Sequence, residues 1–533
     1  MSDQLSFTGK KWDIDSSLQN IDPCDLADSL IQNRSLSSII ENGSYPGMQI
    51  AINRILLAIK QGEAIGIFGD YDCDGITGTA QLLRFFRRHD IEPSVRLPHR
   101  VNDGYGLNEE AIRQFKTDGI NLLITVDTGI TSVNEIDLAN ELGIDVIITD
   151  HHKPRKNIPN ALCILHPHLA SNMPEPFPSG AGVVYQLLCE LEDNQWEEKD
   201  TDCALAMIGT IADVVPLIGA NRTLVEEGLI SLKKLNNCPL SDLRDSTGAQ
   251  TSTDIAFKIA PRINAAGRMS DPMIALNAIV DGGQNQIDLE ELNSKRQSEM
   301  NDLYEKAIEE IRKTESSPLL MTASADYPHG IIGLIAGRLT EAYGKPSCAI
   351  AINNNICTAS LRSPACYNIT DGLEQCSNLL MSFGGHAQAA GCTFELKNMD
   401  EIRLQLSKDI LQKVSLDDLR PSISISTLLQ LSDISLKFIE SLDALEPFGQ
   451  GNPQPIFLLK NIHMEYIKNV GIDKSHMQAK IGHCKAIGFR LGHLAHECSQ
   501  PVDVACKIGI DNWNGRKQPQ LFIEDIRKTI GVL

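Results

Sequence analysis

The chain has 533 residues, too many for one ordinary domain and enough for about two to four. Its composition, 42% hydrophobic, 22% charged and 5% aromatic, excludes disordered and fibrous classes, and no run approaches the ~18 uninterrupted apolar residues of a membrane helix. A net charge of −21 opposes nucleic-acid binding if evenly spread, but residues 451–533 hold 11 Lys/Arg against 7 Asp/Glu, so the positive surplus lies at one end.

Residues 1–50 read as a polar lead-in with helical pieces. The opening "MSDQLSFTGKKWDIDSS" has no apolar h-region, so no secretory signal is expected. The 14 cysteines form no CxxC pair, which argues for reduced thiols in a cytoplasmic protein rather than zinc knuckles. From residue 51 a rhythm begins. "AIGIFG" precedes the helical "TGTAQLLRFFRR", "IEPSVRLP" precedes "NEEAIRQFKTDG", "INLLITV" precedes "SVNEIDLANELG", and "DVIIT" runs into "DHHKPRKNIPNA". Short apolar runs alternating with amphipathic ones predict a mostly parallel sheet with helices on both faces.

Residues 180–235 read as helices. Residues 285–313 form a long charged helical pattern, either a connector between domains or a surface helix of the first. "PLLMTAS", "IIGLIAGRLTEAYG" and "PSCAIAI" then give strand, helix and strand, followed by the glycine-rich "SFGGHAQAAGCTF". From about residue 422, short β-like runs separated by turn residues suit a small barrel of the OB type, a form that binds strands of nucleic acid.

The chemistry lies in acids placed after apolar runs. "GDYDCDG" carries Asp70, Asp72 and Asp74. In an extended chain these three point to one face, neighbours about 7 Å apart, and each neighbouring pair repels by roughly 2–3 kcal/mol at an effective dielectric near 20. An ordinary acidic loop, or an N-cap, is the plain alternative. Two further strand ends argue for a divalent cation: "LLITVDTG" ends in Asp127, and "DVIITDHH" ends in Asp150, His151 and His152. In an open parallel sheet such ends gather at one edge. Asp213 sits inside the apolar "IGTIADVVPL", where an unpaired carboxylate is costly; a structural ion pair is the alternative there. Asp70, Asp72, Asp74, Asp127, His151 and Asp213 together suffice for two ions, and this donor mix suits Mn2+ or Mg2+. Two such ions about 3.5–4 Å apart are suited to phosphodiester hydrolysis.

These motifs resemble the DHH phosphoesterase superfamily, and within it the RecJ family of single-strand-specific exonucleases. The resemblance runs from about residue 60 through "GDYDCDGITGTA", "RVNDGYGL", "VDTGI", "TDHHKP", "IADVVPL", "PRINAAGRM", "HGIIGLIAGRL", "SLRS", "GGHAQAAG" and "EPFGQGNPQPIF". It implies an α/β fold of two domains, DHH and DHHA1-like, joined by a long helix around a central groove, with a C-terminal OB-like β-barrel. The boundaries expected are lead-in 1–50, DHH domain 51–284, connector 285–315, DHHA1-like domain 316–420 and OB-like domain 421–533. It also implies Mn2+- or Mg2+-dependent removal of nucleotides from the 5′ end of single-stranded DNA in repair and recombination.

Carried over by motif, the metal ligands fall on the same six residues, and His152 falls either behind the ligands or near the scissile phosphate. Asp127, His151 and His152 are the catalytic candidates. Candidate phosphate and DNA contacts are Arg100, Tyr105, Arg262, Asn264, Arg268, Ser360, Arg362 and His386, because guanidinium groups and glycine-rich turns bind phosphate well. The partners expected are single-stranded DNA, a single-strand-binding protein and a helicase, with no membrane and a monomeric state. Two other readings remain: a phosphodiesterase of short oligonucleotides or cyclic dinucleotides, and a non-catalytic binding protein that keeps the fold.

Overall fold

The structure is a computed structural model and describes residues 5–18, 21–36, 43–99, 106–170, 172–313, 316–512 and 516–529. The chain divides into two compact units, one formed by Arg34–Glu299 with Pro447–Pro453, the other by Met1–Asn33, Met300–Glu446 and Gln454–Leu533. The boundary falls inside the long helix Gln284–Ile311, whose first part belongs to one unit and last part to the other. Among the described residues no helix is long and apolar enough to cross a membrane.

The first unit is built on a five-stranded sheet. Its strands along the chain are Ile65–Gly69, Ser94–Arg96, Leu122–Val126, Asp145–Thr149 and Cys163–Leu165, and all neighbours are parallel. Their spatial order is 2-1-3-4-5. The apolar runs are continuous because both faces are buried. Ile65, Ile67, Leu122, Ile124 and Val126 pack with Ala51, Ile55, Phe85 and Val183 on one side. Phe68, Leu123, Val146 and Ile148 pack with Ile112, Phe115, Ile136 and Ala139 on the other. In this topology the strand order reverses between Ile65–Gly69 and Leu122–Val126, and a crevice opens at their carboxyl ends.

Residues 180–235 are helical as expected: Gly180–Leu191, Lys199–Ala212 and Gly219–Lys234. The helix Cys73–Arg88 is fastened to Lys199–Ala212 through the fully buried Asp202. That carboxylate accepts from Arg84 Nε at 2.8 Å, Arg88 at 2.9 Å and Trp196 Nε1 at 2.9 Å. The bond fixes the relative position of two helices that each carry an acid of the site described below.

The second unit holds two larger sheets. One has the order Ser382–His386, Ala389–Glu395, Ile356–Arg362, Ser347–Asn353, Leu320–Ser324, and only its last pair is parallel, joined by the helix Ile332–Tyr343. The other is seven-stranded and draws on residues 427–528. The expected polar lead-in is more than helical pieces. Its strand Lys11–Ile14 pairs in parallel with Ser422–Ile425, while Thr8 and Trp12 donate to the buried Asp525 at 2.8 Å each.

Candidate metal centre

Asp70 follows the strand Ile65–Gly69 directly, and its N–H donates to Val126 O, so the chain is still tied to the neighbouring strand there. The extended arrangement expected for Asp70, Asp72 and Asp74 does not occur. Asp72 is the N-cap of the helix Cys73–Arg88, and its Oδ1 accepts from the N–H groups of Asp74 at 3.0 Å and Gly75 at 3.1 Å. The N-cap and ligand readings of this stretch therefore describe the same residue. Asp74 lies in the first helical turn, buried, and accepts from the N–H groups of Gly180 at 2.7 Å and Ala181 at 3.0 Å. Those two groups open the helix Gly180–Leu191, so one helix N-terminus stabilises an acid belonging to another.

The neighbouring strands deliver the remaining groups. Asp127 follows Leu122–Val126 with φ +58°, a left-handed conformation that is costly for a non-glycine residue. Gly180 packs against it: a Cβ there would lie 2.6 Å from Asp127 Cβ and 2.7 Å from its Oδ1. Asp150 follows Asp145–Thr149 and turns its carboxylate back on its own loop. Its Oδ2 accepts from Ile130 N–H at 3.0 Å, and its Oδ1 accepts from the N–H groups of His151 at 2.7 Å and His152 at 3.0 Å. The ring of His152 adds a contact from Nδ1 at 2.8 Å. Asp150 thus holds both histidines without being a candidate ligand itself. Asp213 caps the helix Lys199–Ala212.

The groups converge. His151 Nε2 lies 3.1 Å from Asp127 Oδ1, 3.6 Å from Asp213 Oδ2 and 3.8 Å from Asp74 Oδ2. Donor atoms of Asp70, Asp72 and Asp127 lie within 4.8 Å of one another, as do those of Asp74, His151 and Asp213. Asp127, His151 and His152 form a third such set, so Asp127 stands between the first two. Asp70 Oδ1, Asp127 Oδ1 and His151 Nε2 are buried with no hydrogen-bond partner among the described residues. Each such atom costs about 1–3 kcal/mol or more if left unsatisfied, and the three face one small volume. A hard divalent cation fits them: carboxylate oxygens with one imidazole suit Mn2+ or Mg2+.

Electrostatics give the same picture. Burial, together with the neighbouring acids, pushes the carboxyls of Asp70, Asp127 and Asp213 well above the usual range. Burial and the charge of Asp72 push Asp74 up to about 6, against the pull of the Ala181 and Gly180 N–H groups. Burial lowers His151 to about 3, which keeps its imidazole neutral and able to ligate. For His152 burial works downward, but the hydrogen bond and charge of Asp150 outweigh it and raise the ring to about 9. The same pair brings Asp150 down to about 2 despite its burial.

The other sequence candidates divide by location. Asn264, on the helix Ala260–Met269, accepts from Cys73 N–H at 2.9 Å and so buttresses the acidic loop. Arg262 is engaged elsewhere, with Nε 2.6 Å from Glu290 and NH1 donating to Lys258 O at 2.7 Å. Arg268 lies half-buried on the same helix. Ser360, Arg362 and His386 belong to the second unit. There Arg362 donates to Ser360 Oγ at 3.1 Å, both side chains stand beside Gly333 in the first turn of Ile332–Tyr343, and His386 aligns with Ala389 and Arg362 in one row of the sheet. Arg100 and Tyr105 lie outside the described residues.

The residue motifs alone missed Gly180 and His166. His166 is fully buried; its Nδ1 accepts His168 N–H at 3.2 Å, so Nε2 donates to His152 O at 2.8 Å. The only sequence signal was a histidine in the loop after a strand.

A parallel sheet with acids and a paired histidine at its topological switch is the arrangement of a candidate metal centre of the DHH type. Accordingly, residues 64–211 match the DHH family N-terminal domain, 316–413 the DHHA1 domain and 425–525 the RecJ OB domain. The single-stranded-DNA-specific exonuclease RecJ of Bacillus subtilis is 33% identical over 90% of this chain, which spans 63% of that protein's length. The Thermus thermophilus protein of the same name is 32% identical over 90% of this chain and 71% of its own. A crystal structure of Thermus thermophilus RecJ with Mn2+ superposes with a TM-score of 0.86 at 27% identity, covering 100% of this chain and 81% of that one. The chain belongs to the RecJ family.

Proposed function

We propose that this protein is a single-stranded-DNA-specific exonuclease that releases mononucleotides in the 5′→3′ direction and acts in DNA repair and recombination. The observation that supports it most is the meeting of Asp70, Asp127 and His151 as buried, unpartnered donors at the switch of the sheet. Two divalent ions held by Asp70, Asp72, Asp74, Asp127, His151 and Asp213 would supply an activated water for in-line attack and neutralise the charge that develops on the phosphoryl and leaving oxygens.

The chain's own residues do the rest. Asp150 orients His152 through Nδ1 and keeps it an imidazolium at neutral pH. Its Nε2–H is then the proton offered to the scissile phosphate or to the leaving 3′ oxygen. Ser360, Arg362 and the N-terminus of the helix Ile332–Tyr343 form an anion-binding group suited to a phosphate of the strand, with His386 in the same row. The OB domain favours a long strand over a dinucleotide. The 5′ polarity follows from the family. The same reading makes the enzyme a cytoplasmic monomer that works beside a single-strand-binding protein and a helicase.

Digestion of end-labelled oligonucleotides with Mn2+ or Mg2+ tests this. Mononucleotides from the 5′ end of single strands are expected, and Asp127→Ala abolishes the release while the circular dichroism spectrum is kept. Release from the 3′ end alone refutes the polarity, and faster cleavage of a dinucleotide than of a long strand refutes the substrate.

A further inference from the structure

Asp213 differs from the other acids of the centre in how it is held. Asp74 and Asp150 accept backbone N–H groups, and Asp127 is wedged by Gly180. Among the described residues, no hydrogen-bond donor reaches the Asp213 carboxylate, and 28% of the side chain is exposed. Its position is therefore set by its backbone. The next residue, Val214, has φ +59°, although it is β-branched and 62% exposed. That conformation costs on the order of 1–3 kcal/mol and persists only where the surroundings over-determine it. On the helix side Val214 is held by its N–H, which donates to Ile211 O at 3.2 Å, as that of Asp213 does to Gly209 O at 2.9 Å; on the other side it is held by the chain that follows.

That chain is gripped by a segment from far along the sequence. Leu217 N–H donates to Gln450 O at 2.7 Å, and the Leu217 side chain is buried against Gly449, where a Cβ would lie 2.6 Å from Leu217 Cδ1. Pro447–Pro453 is itself a rigid turn. Gly449 and Asn452 exchange backbone hydrogen bonds at 2.9 and 3.1 Å, and the buried Asn452 donates to Pro447 O at 2.9 Å. Ser252 Oγ donates to Phe448 O at 2.7 Å, and Arg34 donates to Asn452 Oδ1 and Pro453 O at 2.7 Å each. These bonds anchor the turn to three parts of the unit that contains the metal centre. The segment is the "EPFGQGNP" motif, for which the chemistry of the centre has no direct use.

We propose that the turn Pro447–Pro453 is a positioning element of the metal centre, which fixes Asp213 by clamping the chain at Leu217. The proposal rests on the reading of the centre as a two-ion site. Its consequence is that ion binding depends on residues more than two hundred positions beyond the ligand they place.

The test is calorimetric titration of Mn2+ into the full chain, beside steady-state kinetics on single-stranded DNA. Gly449→Ala forces Leu217 to move. It is expected to weaken one of the two ions about tenfold and to lower kcat with KM for DNA unchanged, kcat recovering in excess Mn2+. Ser252→Ala removes a single anchor, keeps the fold, and is expected to act in the same direction about two- to fivefold. It decides the matter should Gly449→Ala fail to fold. Wild-type Mn2+ affinity in Ser252→Ala and in any folded Gly449→Ala overturns the proposal while leaving the two-ion reading intact. A wild-type chain that binds no Mn2+ overturns both.

Discussion

Replacing Gly180 with alanine tests the geometry of the centre without touching a ligand. The added Cβ would sit 2.6 Å from Asp127 Cβ and 2.7 Å from Oδ1, inside the 3.4 Å at which ordinary contact begins, so something must move by about 0.8 Å. Asp127 is poorly placed to yield, because its N–H is bonded to Thr149 O and its backbone already lies in the left-handed region. Gly180 is restrained as well, since its N–H is bonded to Asp74 at 2.7 Å. Whichever residue gives way, an acid of the centre is displaced. Overpacking of this size costs about 1–3 kcal/mol in stability. A displacement approaching 1 Å at the reacting groups costs on the order of 10²-fold in rate. Mn2+ titration, the melting temperature and kcat on a labelled single strand measure the three effects together. A folded Gly180→Ala protein with wild-type Mn2+ affinity and kcat would refute the account of how Asp127 and Asp74 are held.

Three other outcomes are expected. In EDTA the protein should become more stable as pH falls from 7 toward 5, because Asp74, raised to about 6, binds its proton more tightly in the folded state than in the unfolded one. The Asp74 contribution over this range is about 1 kcal/mol, reaches about 3 kcal/mol only below the ordinary carboxylate range, and is lost as pH rises through 6; Asp70, Asp127 and Asp213 add to it with the same sign, and His151, lowered to about 3, opposes it; Mn2+ should remove it, and a melting temperature in EDTA that drops over this range contradicts it. Asp202→Ala strands Arg84 and Arg88 in a largely buried site and should cost about 3 kcal/mol in urea denaturation, the lower end for a broken buried pair because Glu198 still reaches both. Gly337→Ala lies inside the helix Ile332–Tyr343 with no atom within 4 Å of the new Cβ, and should stabilise by about 0.4–1 kcal/mol at unchanged nuclease rate.

The parallel sheet was legible because burial of both faces turns each strand into a short apolar run, and a buried parallel sheet places the following residues at one edge. Asp127, His151 and the start of the acidic loop could be read that way. The path of the chain after Asp70 could not. The "DYDCDG" spacing fits an extended face, but the helical run that follows makes Asp72 a cap, and local capping prevailed over strand continuation. Arg262 looked available for phosphate because sequence does not show that Glu290, on a later helix, lies beside it. The strand Lys11–Ile14 was hidden for a different reason: its partner, Ser422–Ile425, is some four hundred residues away, and a four-residue strand has little pattern of its own.

That distant pairing has a consequence for synthesis. At roughly 5–20 residues per second, Lys11–Ile14 leaves the ribosome on the order of 20–80 s before Ser422–Ile425. Until then Trp12 has no carboxylate to bind, since Asp525 is made later still. This segment must therefore wait unpaired, exposed to chaperones and proteases, while the parallel sheet assembles behind it.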